Sequence, residues 1–363
     1  MVDTVEKRMV LSEWGWDNYW DDQAETLGVE RWQIARVTGQ DRGSWSIQTP
    51  EGPMPGRTPS ATGLQPLPVV GDWVVAKPGP EPTDPWSLLD VLPRRSRISR
   101  GAAGTGQSEQ VLAANVDKVW IVHGLDTALN LRRIERYMAV VWESGASPEI
   151  ILTKGDLTTD LDSEMAMLQG IAMGVPIRSV SATDTESVHR LRETLEPGST
   201  VCLLGPSGVG KSTLVNALSG SAVARIGEVR EGDHKGRHTT TRRALFKIPG
   251  GACLLDTPGI RELRVWILEE GLGGAFPDIQ ALAGGCRFRD CRHENEPGCA
   301  VLAAAEAGTL DPARLASFRK LQAEAAYEQR KNDPRARAAA LSDRKSALKT
   351  VRFHPKYRDQ RGE

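Results

Sequence analysis

Residues 205–213 read GPSGVGKST, and this stretch decides the class of fold that the chain can form. It matches the phosphate-loop pattern G-x-x-x-x-G-K-[ST] and begins where the apolar run STVCLL ends. In such a loop, backbone amides turn towards phosphate oxygens, and the N-terminus of the following helix adds positive potential. The pattern therefore predicts that a nucleoside triphosphate binds to Gly205, Pro206, Ser207, Gly208, Val209, Gly210, Lys211, Ser212 and Thr213.

Two side chains of this loop have separate predicted roles. Lys211 is expected to hold the β- and γ-phosphates, and Ser212 is expected to bind Mg²⁺. Asp256 ends the apolar strand ACLLD, where an acid can reach the magnesium shell through a water molecule. The chain continues TPG, so the backbone amide of Gly259 can donate to the γ-phosphate.

The group that orients the attacking water is not evident from these motifs. Ile260 follows Gly259, whereas many GTPases have a water-orienting Gln at this position. Residues 227–241, GEVREGDHKGRHTTT, are polar and lie between the phosphate loop and Asp256, which is typical of a switch loop with a magnesium-binding Thr. The spacing leaves Thr239, Thr240 and Thr241 open as candidates, and a plain surface loop is the alternative interpretation.

A base-reading motif lies upstream of the phosphate loop. Residues 149–157, EIILTKGDL, form a predicted strand that ends in Thr153, Lys154 and Asp156, close to the N/T-K-x-D pattern. An Asp carboxylate can accept two parallel hydrogen bonds from guanine, and the Lys stem can cover the base. The run SVSA follows one helix later and offers Ser181 and Ala182 as base support, although a solvated turn explains TKGD alone equally well. The motif order is therefore a circular permutation of the usual GTPase order.

A cysteine-rich turn downstream has the spacing of a metal site. Cys286, Cys291, His293 and Cys299 form C-x4-C-x-H-x5-C, four ligands within fourteen residues. Such a set suffices for a closed tetrahedral zinc site, which is structural and not catalytic. The remaining cysteines, Cys202 and Cys253, lie in predicted strands and are interpreted as core residues.

The pattern of strands and helices predicts an α/β fold with further modules at both ends. Short β-like runs between residues 31 and 92 indicate an all-β barrel, with TPEGPMPG interpreted as a break between strands. From KVWIVHG onwards, strands alternate with helices, which is typical of a doubly wound sheet. The predicted segments are an acidic extension (1–30), the barrel (31–95), a linker (96–111), the GTPase domain (112–270), a zinc-binding helical module (271–330) and a basic tail (331–363).

Composition and charge restrict the classes of protein further. The 363 residues contain 46 Lys and Arg against 47 Asp and Glu, so the whole-chain charge favours no particular partner. From Arg330 onwards, however, the chain has eleven basic and four acidic residues, which suggests a polyanion partner or a solvated helix face. The sequence has no apolar run of signal-peptide or membrane-spanning length, and it has five cysteines. A cytoplasmic protein without membrane partners is therefore expected.

The permuted motifs, the preceding barrel and the following Cys-rich module together resemble the RsgA/YjeQ family, over roughly residues 31–330. This resemblance implies an OB-fold barrel. It also points to Thr240 as the magnesium-linked Thr and to His238 as a catalytic candidate, in addition to Lys211 and Thr240. It also implies GTP or GDP, Mg²⁺ and one structural Zn²⁺ as cofactors. The implied partner is the small ribosomal subunit with its rRNA, bound and released by a monomer during late ribosome assembly.

Two departures from the family pattern and two competing functions accompany this interpretation. Thr153 replaces the more usual Asn, and the acidic extension with Trp14, Trp16 and Trp20 has no assigned role. A solvent-facing loop histidine is the alternative for His238. The competing functions are a P-loop ATPase or kinase, which would ignore Asp156, and an RNA-binding module in which nucleotide is a switch and turnover is incidental.

Overall fold

The structure is a computed structural model that describes residues 9–41, 43–59, 63–101, 109–158, 160–220, 243–256 and 269–332. The predicted switch segment 227–241 with His238 and Thr240, the DTPG residues after Asp256, and the basic tail beyond residue 332 lie outside these ranges. The chain forms two compact units, one containing residues 1–100 and 109–265 and the other residues 266–363 together with 101–108.

The barrel consists of five strands: β1 (Ile34–Asp41), β2 (Ser44–Thr49), β3 (Gly52–Arg57), β4 (Trp73–Lys77) and β5 (Trp86–Val91). They pair in the order β1-β2-β3-β5-β4, and β4 returns to pair with β1, which closes the barrel. Alternate apolar side chains point inwards, as the period of two in a β-strand requires. The interior is filled by Ala35, Val37, Trp45, Ile47, Val74, Ala76, Trp86 and Leu88.

Two sequence interpretations in this region were wrong. GPMPGR was interpreted as a break but is β3. Within β3, only Gly56 and Arg57 pair with β5, so Pro53 and Pro55 lie where that edge of the strand needs no amide donors. The expected linker contains β6 (Arg97–Gly101) and much of β7 (Glu109–Ala114), which pair with each other. Ile98 in this segment and Leu112 just after it are buried by tertiary packing that a short charged stretch does not reveal.

The acidic extension packs on the barrel. Helix α1 (Asn18–Thr26) carries Trp20, which is 1% exposed, and the ring centroids of Trp16 and Trp73 lie 4.9 Å apart in an edge-to-face contact. The Asp17 carboxylate begins the helix by accepting from the amides of Tyr19 and Trp20. Because these aromatic rings share one core with barrel residues, the extension is an integral part of the first unit.

Trp20→Ala is expected to destabilise the first unit by about 3–5 kcal/mol, the usual cost of removing a fully buried aromatic side chain. Trp32→Ala is the matched control because Trp32 is 42% exposed, so its removal should change stability by less than about 1 kcal/mol. Chemical unfolding of the nucleotide-free protein measures both values. Equal stability of the two variants would contradict the integral role of the extension.

The second part of this unit is a six-stranded sheet with helices. Its strands are β8 (Lys118–Gly124), β9 (Ser147–Thr153), β10 (Ile177–Val180), β11 (Thr200–Leu204), β12 (Arg243–Lys247) and β13 (Cys253–Asp256), in the order β10-β9-β8-β11-β13-β12. All neighbours are parallel except β12, which runs antiparallel to β13. The helices are α2 (Leu131–Glu143), α3 (Leu161–Gln169), α4 (Thr185–Glu193) and α5 (Lys211–Ser219). The carboxyl ends of the parallel strands thus share one edge, where ligands bind in such sheets.

The barrel and this sheet are joined by backbone pairing and by a buried arginine. Strand β1 pairs with β12, and Ala244 lies between Gly39 of the barrel and Asp256 of β13 in one row. Arg36, 2% exposed, donates from Nη1 to the carbonyl of Trp14 (2.7 Å) and from Nη2 to Thr200 Oγ1 (3.0 Å). The extension, the barrel and the start of β11 therefore meet at one side chain.

The second unit is helical. Its elements are α6 (Glu269–Ala275), α7 (Pro277–Ala283), α8 (Ala300–Glu306) and α9 (Pro312–Asn332). The buried rings of Phe276 and Phe318 pack edge to face at 5.4 Å, and Arg314 forms a two-pronged ion pair with Asp278 at 2.6 and 2.7 Å. Among the described residues, no helix combines the length and apolar character that crossing a bilayer requires.

Candidate functional site

The phosphate loop connects β11 to α5 and depends on glycine. Gly205 has φ 158°, and a Cβ there would lie 2.4 Å from the carbonyl oxygen of Val122 on the neighbouring strand. Gly210, the N-cap of α5, has φ 94°, in the left-handed region that favours glycine. The Lys211 ammonium donates to the carbonyls of Gly205 (2.7 Å) and Pro206, so its charge is held within the loop.

The base-reading turn is tied to the phosphate loop through Thr153. This residue is 2% exposed, and its hydroxyl lies within hydrogen-bonding distance of the carbonyls of Val209 and, at 3.2 Å, of His123. A hydroxyl has one proton, so it donates to one of these carbonyls at a time. Thr153, in place of the more usual Asn, thus still connects the end of β9 to the phosphate loop.

Asp156 and the SVSA run meet at the same edge of the sheet. The Ser181 hydroxyl donates to Asp156 Oδ1 at 2.7 Å, and its oxygen lies 2.8 Å from the hydroxyl of Thr183. A Cβ at Gly155 would lie 2.7 Å from Ser179 Oγ, so a larger residue there would require that hydroxyl to move. Asp156 is exposed, so its carboxylate is accessible to a base. The structure therefore brings the separate TKGD and SVSA motifs together, while their roles stay predictions.

One charged residue at this edge was missed by the sequence interpretation. Asp126, in the turn after β8, lies 2.5 Å from the Lys154 ammonium through its Oδ2 atom. Lys154 also donates to the carbonyl of Gly208 at 3.0 Å. The hydrogen bond from Lys154 lowers the pKa of Asp126 below its ordinary value, so the carboxylate is charged at neutral pH. The sequence feature that could have indicated Asp126 is its position just after β8, a buried strand whose carboxyl end lies at the nucleotide-binding edge of the sheet.

The structure describes only some of the remaining residues that were predicted to bind magnesium, contact the γ-phosphate or take part in catalysis. Asp256 ends β13, which pairs in parallel with β11, so its backbone lies at the carboxyl edge beside the phosphate loop. Ser212 lies in the first turn of α5 and is half-buried. Thr240, His238 and Gly259 fall outside the described ranges, and their roles stay predictions.

The four predicted zinc ligands form one cluster in the second unit. Their ligand atoms lie within 4.8 Å of one another; Cys286 Sγ lies 3.6 Å from His293 Nδ1 and 3.8 Å from Cys299 Sγ. A tetrahedral zinc ion, with Zn–S of about 2.3 Å and Zn–N of about 2.0 Å, separates its ligands by roughly 3.5–3.8 Å. The three thiols and the imidazole of Cys286, Cys291, Cys299 and His293 are thus compatible with zinc in both chemistry and spacing.

The backbone between these ligands is organised by Glu296. Its carboxylate accepts from the amides of Arg292 (2.8 Å), Glu294 (2.8 Å) and Asn295 (3.0 Å). These backbone hydrogen bonds, led by that of Arg292, lower the pKa of Glu296 to about 2. His293 adopts a left-handed conformation with φ 60° in the same turn. Glu296 therefore sets the local shape of the turn that carries His293, and none of these three bonds involves a predicted ligand atom.

Comparison with known proteins agrees with this architecture. The family model of the RsgA GTPase matches residues 91–266. A relative from Opitutus terrae is 43% identical over 90% of this chain and 92% of its own length. A relative from Streptomyces avermitilis is 43% identical over 92% of this chain and 90% of its own length. Both relatives are named small ribosomal subunit biogenesis GTPase RsgA.

Solved structures share the fold. YjeQ from Thermotoga maritima superimposes with a TM-score of 0.61 at 25% identity, covering 81% of this chain and 98% of its own. YloQ, described as a circularly permuted GTPase, has a TM-score of 0.61 at 22% identity and covers 81% of this chain and 95% of its own. The permuted motif order inferred from the sequence is thereby confirmed. Because relatives at 43% identity match at least 90% of this chain and of their own length, and the family model covers the nucleotide-binding motifs, the chain belongs to the RsgA GTPase family and hydrolyses GTP.

Proposed function

We propose that this GTPase, acting as a monomer, binds the small ribosomal subunit in late assembly and leaves it when GTP is hydrolysed. The observation that carries the proposal is the 43% identity to a small ribosomal subunit biogenesis GTPase over 90% of the chain. A match over 90% of the chain is longer than the range 91–266 of the family model, so the identity extends beyond the nucleotide-binding motifs.

The barrel and the Cys-rich module, which precede and follow the nucleotide-binding motifs in the sequence, have surfaces suited to RNA. Small barrels of the OB type bind nucleic acid on their strand faces. In the Cys-rich loop, Phe288 is 41% exposed and the Arg287 guanidinium carbon lies 5.5 Å from its ring centre. Unpaired RNA bases stack on such aromatic and guanidinium planes, whereas phosphates attract the cationic groups. These features support direct contact with rRNA.

Within the site, each predicted ligand has a defined task. Asp156 with Ser181 and Ala182 recognises guanine, and the phosphate loop with Lys211 holds the phosphates. Ser212 and Thr240 bind Mg²⁺ directly, Asp256 binds it through water, and Gly259 contacts the γ-phosphate. Zn²⁺ at the cysteine and histidine cluster is structural. Magnesium supplies charge neutralisation on the phosphates, while the protein groups orient the nucleotide.

Strand pairing connects the barrel to Asp256, the predicted magnesium-binding residue at the end of β13. Gly39, Ala244 and Asp256 are neighbours in adjacent strands. A displacement of β1 on RNA binding would therefore be transmitted through β12 to the strand that ends at Asp256. β12 also follows the predicted switch segment directly, at Arg243. This continuity supports a coupling of rRNA docking to hydrolysis, with His238 positioning the attacking water because Ile260 cannot do so.

GTP hydrolysis measured with and without small ribosomal subunits tests the proposal. The expected result is a slow intrinsic rate that rises at least about tenfold with subunits. His238→Ala should keep GTP affinity and subunit binding but lose most of the stimulated rate. Lys211→Ala is the control for nucleotide binding, because it should lose GTP affinity itself.

Other outcomes of this assay distinguish the alternatives. If subunits leave the rate unchanged while nucleotide alters subunit affinity, the protein is a nucleotide-controlled RNA-binding module. If His238→Ala reaches the wild-type rate on the subunit, another group positions the water. A preference for ATP over GTP would exclude the base-reading role of Asp156.

A further inference from the structure

We propose that Asp126 is a positioning residue for the guanine nucleotide: it fixes the Lys154 ammonium so that the base-reading turn and the phosphate loop have one preset geometry. Lys154 forms two bonds, one to Asp126 Oδ2 at 2.5 Å and one to the Gly208 carbonyl at 3.0 Å. The turn after β8, the turn after β9 and the phosphate loop thus meet at one cation. The inference rests on the proposed function, in which the base-reading turn recognises guanine, and on the sequence prediction that the Lys154 stem covers the base.

The turn that carries Asp126 is itself ordered. The amide of Leu125 donates to the carbonyl of Thr153 at 2.9 Å, which links this turn to the end of β9. The Thr127 hydroxyl donates back to the carbonyl of Gly124 at 3.2 Å. A Cβ on Gly124 would lie 2.5 Å from Asp126 Oδ1, so glycine leaves room for the carboxylate. The carboxylate is therefore held in place before a nucleotide arrives.

Lys154 needs such a partner because of its backbone and its location. Its φ of 59° and ψ of 39° are left-handed, a conformation that costs energy for a residue with a side chain. Its side chain is 29% exposed and that of Asp126 is 37% exposed, so water competes with the pair. A bound base that covers the Lys stem excludes some of that water and strengthens the ion pair. The bridge should therefore contribute more to nucleotide affinity than to the stability of the free protein.

The test is a double-mutant cycle on nucleotide affinity. Kd values for a fluorescent GDP analogue and for GTP are measured for wild type, Asp126→Asn, Lys154→Met and the double variant. Asp126→Asn should raise both Kd values about tenfold, as expected for one charge-assisted hydrogen bond, with kcat unchanged. The double variant should bind no more weakly than Lys154→Met, because the two residues act through the same bridge.

A matched control separates this role from general charge and stability effects. Asp162→Asn removes the same charge from an exposed position in α3 and should leave both Kd values unchanged. The melting temperature of nucleotide-free Asp126→Asn should stay within about 2 °C of wild type.

The proposal is overturned if Asp126→Asn changes either Kd by less than about twofold, or if its effect adds fully to that of Lys154→Met. If Lys154→Met alone leaves affinity unchanged, the base-covering role of Lys154 fails, whereas the recognition of guanine by Asp156 is judged separately by nucleotide preference.

Discussion

Asp156→Asn is expected to convert the enzyme from a GTP-binding to a xanthosine-triphosphate-binding protein. In the proposed function, the two oxygens of the Asp156 carboxylate accept from the N1–H and the exocyclic amine of guanine. An Asn side chain keeps one acceptor and gains one donor, which matches the N1–H and C2 carbonyl of xanthine. A site that hydrogen-bonds both groups of a base edge rejects a base whose donors and acceptors do not match, so the ratio of the two Kd values should change by about 10⁴.

The hydrogen bond from Ser181 makes this exchange geometrically feasible. The Ser181 hydroxyl donates to Asp156 Oδ1 at 2.7 Å, and an Asn side chain retains an oxygen that can accept the same bond. Competition binding with GTP and xanthosine triphosphate measures the change. Ser181→Ala is the control: it should weaken GTP binding without creating a preference for the xanthine nucleotide. Unchanged GTP affinity in Asp156→Asn would show that another residue reads the base.

Loss of zinc is expected to unfold the Cys-rich loop. Cys291→Ala removes one of four ligands, and binding of structural zinc contributes about 10–16 kcal/mol to the folding of small zinc modules at neutral pH. The variant should lose its single equivalent of zinc and the helical signal of part of the second unit. Nucleotide affinity should persist, because the phosphate loop and base-reading turn belong to the first unit.

Metal analysis and circular dichroism measure this loss directly. Cys202→Ala is a matched control, since Cys202 is a buried cysteine of β11 that lies outside the cluster. It should retain one equivalent of zinc. Retention of zinc by Cys291→Ala, or a wild-type protein that is folded and free of metal, would contradict the structural role of the cluster.

Much of the nucleotide site could be predicted because its chemistry resides in short contiguous motifs. A phosphate loop needs glycines, a lysine and a hydroxyl in consecutive positions, so GPSGVGKST is recognisable without a structure. The base-reading motif TKGD and the zinc spacing are equally local. Asp126 was missed because an Asp just after a buried strand is too common to identify a site, and only the fold brings it to Lys154, 28 positions along the chain.

The sequence by itself determined the permuted order of the motifs, the α/β class and the four residues of the Cys-rich cluster, because each depends on residue types at fixed spacing. Only the tertiary structure revealed that Trp16 and Trp20 of the extension complete a core with Trp73, and that β1 pairs with β12. Pairing and packing between distant segments depend on which surfaces the whole chain can bury together. Those contacts are decided by the free energy of the complete fold, which no short stretch of sequence contains.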